Sequence, residues 1–216
     1  MLWRALACAI MALALGHAAA ADVYPTRPIR FINPTAPGGT AEPIARVIAH
    51  KLSENLGQSV VVDSRGGAGG TVGTAMAANA PPDGHTILLG VVSPMAINVS
   101  LYGSKLPYDP LRSFAPVSMI TKVPQVLSVH PGVAAANIKQ LISLAKEPQA
   151  RLNYGSAGSG TTGHLVAELL KKRAGIAITH VPFKGSGPAL AATLAGQIEI
   201  MLSGPPAVLA LSQAGR

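Results

Sequence analysis

The stretch Asn153-Tyr-Gly-Ser-Ala-Gly-Ser-Gly-Thr-Thr-Gly-His164 joins a short extended segment to an amphipathic helix through glycines and small hydroxyl residues. The helix is predicted from Thr162 to Ala174, with Gly175 as its stop and three leucines along one side, Leu165, Leu169 and Leu170. A glycine-rich turn between a strand and a helix presents unpaired backbone N–H groups and the positive end of a helix dipole. This stretch therefore predicts an anion site.

Strands, loops and helices alternate along the whole chain, which predicts an α/β fold with mostly parallel sheets. The first series is predicted as strand 28–33, helix 43–56, strand 59–63, helix 71–80 and strand 85–90. Two successive strands follow, Pro116–Ile120 and Gln125–Val129, and this direct passage places a domain boundary near residue 122. The second series is predicted as helix 137–146, strand 152–155, helix 162–174, strand 178–183, helix 188–195, strand 198–202 and a helix after Pro205.

Residues 1–20 have the pattern of a cleavable secretory signal peptide, with an early positive charge, an apolar run and small residues before the cleavage site. Cys8, the single cysteine of the chain, lies inside this segment. The mature protein is therefore expected to be exported and to lack disulfides, thiolate catalysis and cysteine metal sites.

The chain has 216 residues, of which 49% are hydrophobic and 4% aromatic, so its core must be mainly aliphatic. Its formal net charge is +8, with the basic residues scattered apart from the run Lys171–Arg173. Nucleic-acid-binding proteins usually combine a clustered basic stripe with aromatic residues, and this chain has neither. The charge favours small anions instead.

Two glycine-rich segments resemble nucleotide-binding motifs. Gly158–Gly163 matches G-x-G-x-x-G, but residues 178–188 lack the acidic residue that a dinucleotide site needs for the ribose. Gly66–Thr71 lacks the Gly-Lys-Ser/Thr ending of a P-loop, and close packing or a binding role remain equally open for it. No nucleotide cofactor is predicted.

Catalytic and metal motifs are also missing from the sequence. The serines among the glycines, Ser156, Ser159 and Ser186, are not in the register G-x-S-x-G, and the histidines lack paired metal-ligand spacing. His164 is the one histidine expected near a ligand. A purely structural role for His164 is an equally open alternative. The sequence therefore predicts a binding protein without a catalytic site, metal or cofactor.

Motifs along the mature chain resemble the Bug-type substrate-binding proteins of tripartite tricarboxylate transporters. In the first half they are Tyr24-Pro-Thr-Arg-Pro-Ile-Arg30, Ala36-Pro-Gly-Gly39, Leu56-Gly-Gln-Ser-Val-Val-Val62, Gly67-Ala-Gly-Gly70, Pro82-Asp-Gly-His-Thr86 and Phe114-Ala-Pro-Val117. In the second half they are Leu152-Asn-Tyr-Gly-Ser-Ala-Gly158, His164-Leu165 and His180-Val-Pro-Phe-Lys-Gly185.

This resemblance implies a monomeric periplasmic receptor of the two-lobed type II binding-protein class, with lobes 21–122 and 123–216. It implies capture of a small carboxylate for a membrane permease, without nucleic acid. A receptor for a signalling partner and an exported enzyme of small acids remain as alternatives. By position, the resemblance places ligand contacts at Thr35, Ala36, Pro37, Gly38, Gly39, Thr40, Ser156, Ala157, Gly158, Ser159, Gly160, Thr161, His164, Pro182 and Lys184.

Two departures from the family pattern bear on these expectations. Glu42 stands where the family often has aspartate, and glutamate is a poorer helix cap ahead of Pro43. The family also continues well past Arg216, so the chain is expected to lack the last strand of its second lobe and the return segment of its first. We expect such a chain to be marginally stable.

Overall fold

The structure is a computed structural model that describes residues 23–215. The predicted signal peptide, residues 1–20, lies outside the described residues. Within residues 23–215 no helix combines the length and the apolar character needed to cross a membrane.

The first half of the described chain is built on a three-stranded sheet. Its strands are β1 (Ile29–Asn33), β2 (Val60–Ser64) and β3 (Thr86–Leu88), all parallel, in the order β2-β1-β3. Its helices are α1 (Ala41–Leu56), α2 (Thr71–Ala78) and the short α3 (Asn98–Tyr102). A π-helical turn, Ser93–Ile97, precedes α3, and a 3₁₀ turn, Gly103–Lys105, follows it.

The second half is built on a four-stranded sheet. Its strands are β4 (Val126–Val129), β5 (Asn153–Ser156), β6 (Thr179–Pro182) and β7 (Ile200–Ser203), in the order β4-β7-β5-β6. β5 is parallel to both neighbours, and β4 is antiparallel to β7. Its helices are α4 (Ile138–Ala145), α5 (Thr162–Ala174), α6 (Ser186–Leu194) and α7 (Pro205–Gln213). The predicted α/β organisation with mostly parallel sheets is confirmed.

Alanines, rather than the larger aliphatic residues, bring the helices onto the sheets. α1 buries Ala41, Ala45 and Ala49, whereas Val47 on the same helix is 63% exposed. α5 buries Ala167, and of the three leucines along one side Leu170 packs against the core while Leu165 and Leu169 are exposed. The small side chains allow the close approach of helix and sheet that a densely packed core requires.

The predicted strand 116–120 is not formed. Residues 114–125 have no regular structure, and Val117 is 95% exposed. A strand needs a neighbour for its backbone hydrogen bonds, and no described strand pairs with this segment. The predicted boundary near residue 122 falls in this connection and remains a prediction.

Candidate functional site

A cavity of about 410 Å³ lies where the carboxyl ends of strands from both halves of the chain meet. The first half contributes Pro34–Ala36 after β1 and glycines 66, 67, 69 and 70 after β2. The second half contributes Thr161–Gly163 at the start of α5, Lys184–Ser186 at the start of α6 and Leu202–Gly204 at the end of β7. Ligand sites of α/β proteins lie at this edge of their sheets, and the volume falls in the range of about 300–1,000 Å³ usual for small ligands.

The electrostatics of this cavity favour an anion. Among the described residues that line it, Lys184 is the only one with a charged side chain. Thr40, Thr162, Ser186 and Gly204 place the N-terminal ends of α1, α5, α6 and α7 in the lining. Each helix N-terminus carries a partial positive charge of roughly half a unit. The wall therefore combines one full cation with several partial positive charges.

The start of α5 keeps backbone donors available for a ligand. Thr161 precedes the helix, and its hydroxyl donates to the carbonyl of Gly158 at 2.7 Å rather than capping α5. A Cβ on Gly163 would lie 2.6 Å from the Leu202 carbonyl oxygen, so only glycine lets α5 begin this close to the end of β7. The first-turn amides of α5 have no partners within the helix, and two of them belong to Thr162 and Gly163 of the cavity lining.

Donors of the first glycine loop, residues 35–40, are engaged within the protein. The amide and hydroxyl of Thr35 donate to Asn33 Oδ1 at 3.3 and 3.0 Å. The amide of Gly38 donates to Glu42 Oε2 at 2.6 Å. α1 begins at Ala41, so Glu42 lies in the first turn, not ahead of the helix as the sequence predicted. Its carboxylate supports the loop instead of capping the helix from outside.

The same loop also joins the two halves of the chain. The Thr40 amide donates to Ser186 Oγ at 3.2 Å, and the Gly204 amide donates to Thr40 Oγ1 at 3.2 Å. A Cβ on Gly187 would clash with the backbone carbonyl oxygen of Pro37, so the backbones of the two halves meet too closely here for a larger residue. These contacts hold the two walls of the cavity together.

The structure brings part of the predicted site set to the cavity. The predicted residues in the lining are Thr35, Ala36, Thr40, Ala157, Thr161 and Lys184. The predicted residues outside the lining are Pro37, Gly38, Gly39, Ser156, Gly158, Ser159, Gly160, His164 and Pro182. The predicted contacts of all these residues with a ligand remain predictions.

Behind the second glycine loop, residues 156–161, three rings are stacked. The His180 ring lies between Tyr154, at a centroid distance of 4.8 Å, and His164, at 4.1 Å. His180 Nε2 is 2.7 Å from Ser156 Oγ, and His164 Nδ1 accepts from the Gly160 amide at 3.2 Å. The two histidines therefore contact the loop from its far side.

The Ser156–His180 pair does not have the geometry of a hydrolase dyad. Ser156 is fully buried and does not line the cavity. The nearby carboxylate, Glu168, accepts from the Tyr154 hydroxyl at 2.7 Å and pairs with Lys171. It does not orient His180, as the third member of a triad would. Within residues 23–215 no group of three metal-ligating side chains is found either.

The sequence prediction missed several segments of the lining. These are Leu88–Ser93 at the end of β3, Ser118–Thr121 with Val123 and Gln125 in the connection, and Leu202–Gly204 at the end of β7. For the segments at the ends of β3 and β7 a signal existed, since residues at the carboxyl ends of parallel strands meet at one sheet edge. The connection had no such signal, because a strand was predicted over part of it, Pro116–Ile120.

Comparison with known proteins gives a consistent result. The family model described as "Tripartite tricarboxylate transporter family receptor" matches residues 44–216. BugT of Bordetella pertussis is 42% identical over 190 residues, which are 88% of this chain and 58% of BugT. The chain thus covers less than two-thirds of that relative.

Solved structures agree with the sequence relatives. Rpa4515 of R. palustris, solved with adipate, is 38% identical with a TM-score of 0.85, over 89% of this chain and 64% of the other. MatC of Rhodopseudomonas palustris, solved with bound malate, is 31% identical with a TM-score of 0.81, over 89% and 65%. BugD, described as a periplasmic binding protein, is 33% identical with a TM-score of 0.84, over 89% and 64%. The predicted type II periplasmic binding-protein class is confirmed, and the chain belongs to the tripartite tricarboxylate transporter receptor family.

Proposed function

We propose that this protein is an extracytoplasmic receptor that captures a small carboxylate and delivers it to the membrane permease of a tripartite tricarboxylate-type transporter. One observation carries the proposal: the cavity joins the N-terminal ends of helices from both halves and, within the described lining, has Lys184 as its one charged side chain. Hydrogen bonds to a charged group contribute about 1.5–3 kcal/mol each. The binding free energy of a micromolar complex is about 8 kcal/mol, which a few such bonds supply.

The relatives support the carboxylate and the transport role. Structures at 38% and 31% identity carry adipate and malate, and both are dicarboxylates. The family description places its members in transport, which favours a receptor over an enzyme. For this chain, export through the signal peptide 1–20, action as a monomer and binding to a permease are parts of the proposal.

A thermal-shift screen with acetate, succinate, malate, adipate and citrate tests the proposal. At 100 times its dissociation constant, a ligand stabilises the native state by about 2.7 kcal/mol. We expect a shift with at least one carboxylate and none with its neutral amide analogue, because the amide lacks the charge that Lys184 and the helix ends attract.

The Lys184→Met variant sharpens the test. Loss of one charge-assisted bond should weaken carboxylate binding roughly tenfold to a hundredfold. Lys139→Met, on the exposed face of α4, is the matched control and should bind like the wild type. Equal shifts with carboxylates and their amides, or no shift with any of the five acids, would refute the proposed function.

A further inference from the structure

The stacked histidines form the rear support of the second glycine loop, residues 156–161. The loop has two hydrogen bonds to this support, one from each end. Ser156 Oγ contacts His180 Nε2 at 2.7 Å, and the Gly160 amide donates to His164 Nδ1 at 3.2 Å. Between these bonds lies Ala157, and just after them Thr161, both in the cavity lining. The imidazoles therefore fix loop residues that face the proposed ligand.

The Gly160 bond requires a neutral His164. A backbone amide only donates, so Nδ1 of His164 must carry a lone pair and no proton. A proton on Nδ1 would place two donors against each other at this position. Gly160 has a φ of +75°, a conformation that its neighbours must maintain. Without the bond to His164, one of its restraints is lost.

The bonds of Ser156 are satisfied when His180 donates from Nε2, which its Nε2–H tautomer and its protonated form both do. The Ser156 hydroxyl also contacts the carbonyl and the amide of Gly158, each at 3.1 Å. If His180 donates from Nε2, the hydroxyl accepts from His180 and from the Gly158 amide and donates to the Gly158 carbonyl. All three groups are then paired.

The surroundings of the pair disfavour a second positive charge. The ionisable groups around His180 are Tyr154 on β5 and His164, Glu168 and Lys171 on α5. Glu168 is already engaged with the Tyr154 hydroxyl and with Lys171. Two imidazolium rings at 4.1 Å would repel each other, because no carboxylate lies between them.

We propose that His164 is a positioning residue that holds the second glycine loop in its binding geometry only while its ring is neutral, so that carboxylate binding weakens at acidic pH. This inference rests on the proposed function for its ligand. Protonation of His164 breaks the Gly160 bond and loosens the segment that carries Ala157, Thr161 and the start of α5. The ligand loses those amides without any change in the residues that touch it.

The titration of His180 affects the stability of the stacked rings rather than its bond to Ser156. Burial, and then the charge of His164, lower the pKa of His180 below its usual value of 6.5. When the pKa of a histidine is lower in the folded state than in the unfolded state, its neutral form stabilises the fold at pH values above the unfolded pKa. This stability is lost as pH falls from about 6.5 through the folded value. The stability that neutral His180 gives to the stacked rings is therefore lost below neutrality.

The inference is tested by calorimetric measurement of malate affinity in wild type and in the His164→Asn variant. Each protein is measured at about pH 7.5 and at about pH 5.8. The asparagine oxygen accepts from the Gly160 amide and does not titrate. We expect wild type to bind roughly fivefold or more weakly at the lower pH and the variant to change less than twofold. His50→Asn, on the exposed face of α1, should keep the wild-type pH profile.

Amide exchange of Gly160, followed by NMR over the same pH range, needs no ligand. Protection that falls at acidic pH in wild type and persists in His164→Asn supports the positioning role, even where malate fails to bind. In that case the failure counts against the proposed function alone. If wild type and His164→Asn have the same pH profile of malate affinity and the same pH profile of amide exchange, the inference is wrong. Carboxylate capture would still stand.

Discussion

At the scale of single residues, the first glycine loop already holds a carboxylate that belongs to the protein. Glu42 accepts from the Gly38 amide at 2.6 Å and pairs with Arg46 one turn further along α1. Its side chain is only 14% exposed, so these partners replace most of its water. The hydrogen bond from the Gly38 amide, followed by that from Arg46, lowers the pKa of Glu42 below 4.5.

This arrangement predicts the effect of Glu42→Gln. The neutral amide keeps a weaker bond to Gly38, so we expect a loss of about 1 kcal/mol in unfolding free energy at neutral pH, measured by urea denaturation. A lowered folded-state pKa gives stability that is present above about 4.5 and is lost as pH falls further. The difference between wild type and variant should therefore shrink as pH falls below about 4.5.

Glu54→Gln is the matched control for this prediction. Glu54 lies on the same helix, is 46% exposed and pairs with Lys51 at the surface. Exposed pairs of this kind contribute about 0–1 kcal/mol. If the two variants lose the same stability, or if the Glu42→Gln difference does not shrink as pH falls below about 4.5, the role assigned to the Glu42 carboxylate is wrong.

At the scale of elements, α4 begins with a reciprocal cap. Asn137 accepts from the Gln140 amide at 3.0 Å, and Gln140 Oε1 accepts from the Ala136 amide at 2.7 Å. Two amides without helical partners are thereby satisfied. The cap fixes the start of a helix that packs Leu141 and Ala145 into the core of the second half.

Asn137→Ala should destabilise the protein by about 1 kcal/mol, because the Gln140 amide loses its acceptor at the helix start. Asn137→Asp should keep or slightly raise stability, since an anion at a helix N-terminus is favourable. Urea denaturation measures both. Asn55→Ala, at an exposed position of α1, is the control and should change stability by less than about 0.5 kcal/mol. An equal effect at both asparagines would contradict the cap.

Periodicity and turn residues predicted most elements, because each depends on neighbours in sequence. α5, for example, has the predicted bounds Thr162 and Ala174. The failures depend on distant partners. The segment 116–120 has a strand-like composition but no strand beside it, and Leu169 is 52% exposed because Ala167 takes the buried face of α5. The residues of a segment do not reveal whether another strand will lie beside it or which face of a helix will pack against the sheet.

The site shows the same limit. The second glycine loop was identified from its composition, and the first glycine loop and Lys184 from the family resemblance, and all three reach the cavity. The sequence could not tell which loop donors are already engaged, as with Thr35 and Gly38, because their partners are set by the fold. It also could not place His180 behind the loop, since the stack joins β5, α5 and β6.

At the scale of the whole molecule, the two sheets are joined by one described passage, from β3 to β4. Residues 114–125 of this passage lack regular structure, and Met119 is 74% exposed. The same passage contributes Ser118–Thr121 and Val123 to the cavity wall. The connection is therefore both an exposed segment without regular structure and a part of the site.

Limited trypsin digestion should accordingly cut first after Lys122 or Arg112, the basic residues in or next to this connection, and should leave fragments that each contain one sheet. A carboxylate that raises the melting temperature should slow cleavage at Lys122, whose neighbours line the cavity, more than cleavage at Arg112. Lys122→Gln removes the first site and serves as the control for fragment assignment. Early cuts inside α1 or α4 would show that the connection is not the weakest segment. Equal protection of both sites by a bound ligand would show that the connection is not part of the ligand site.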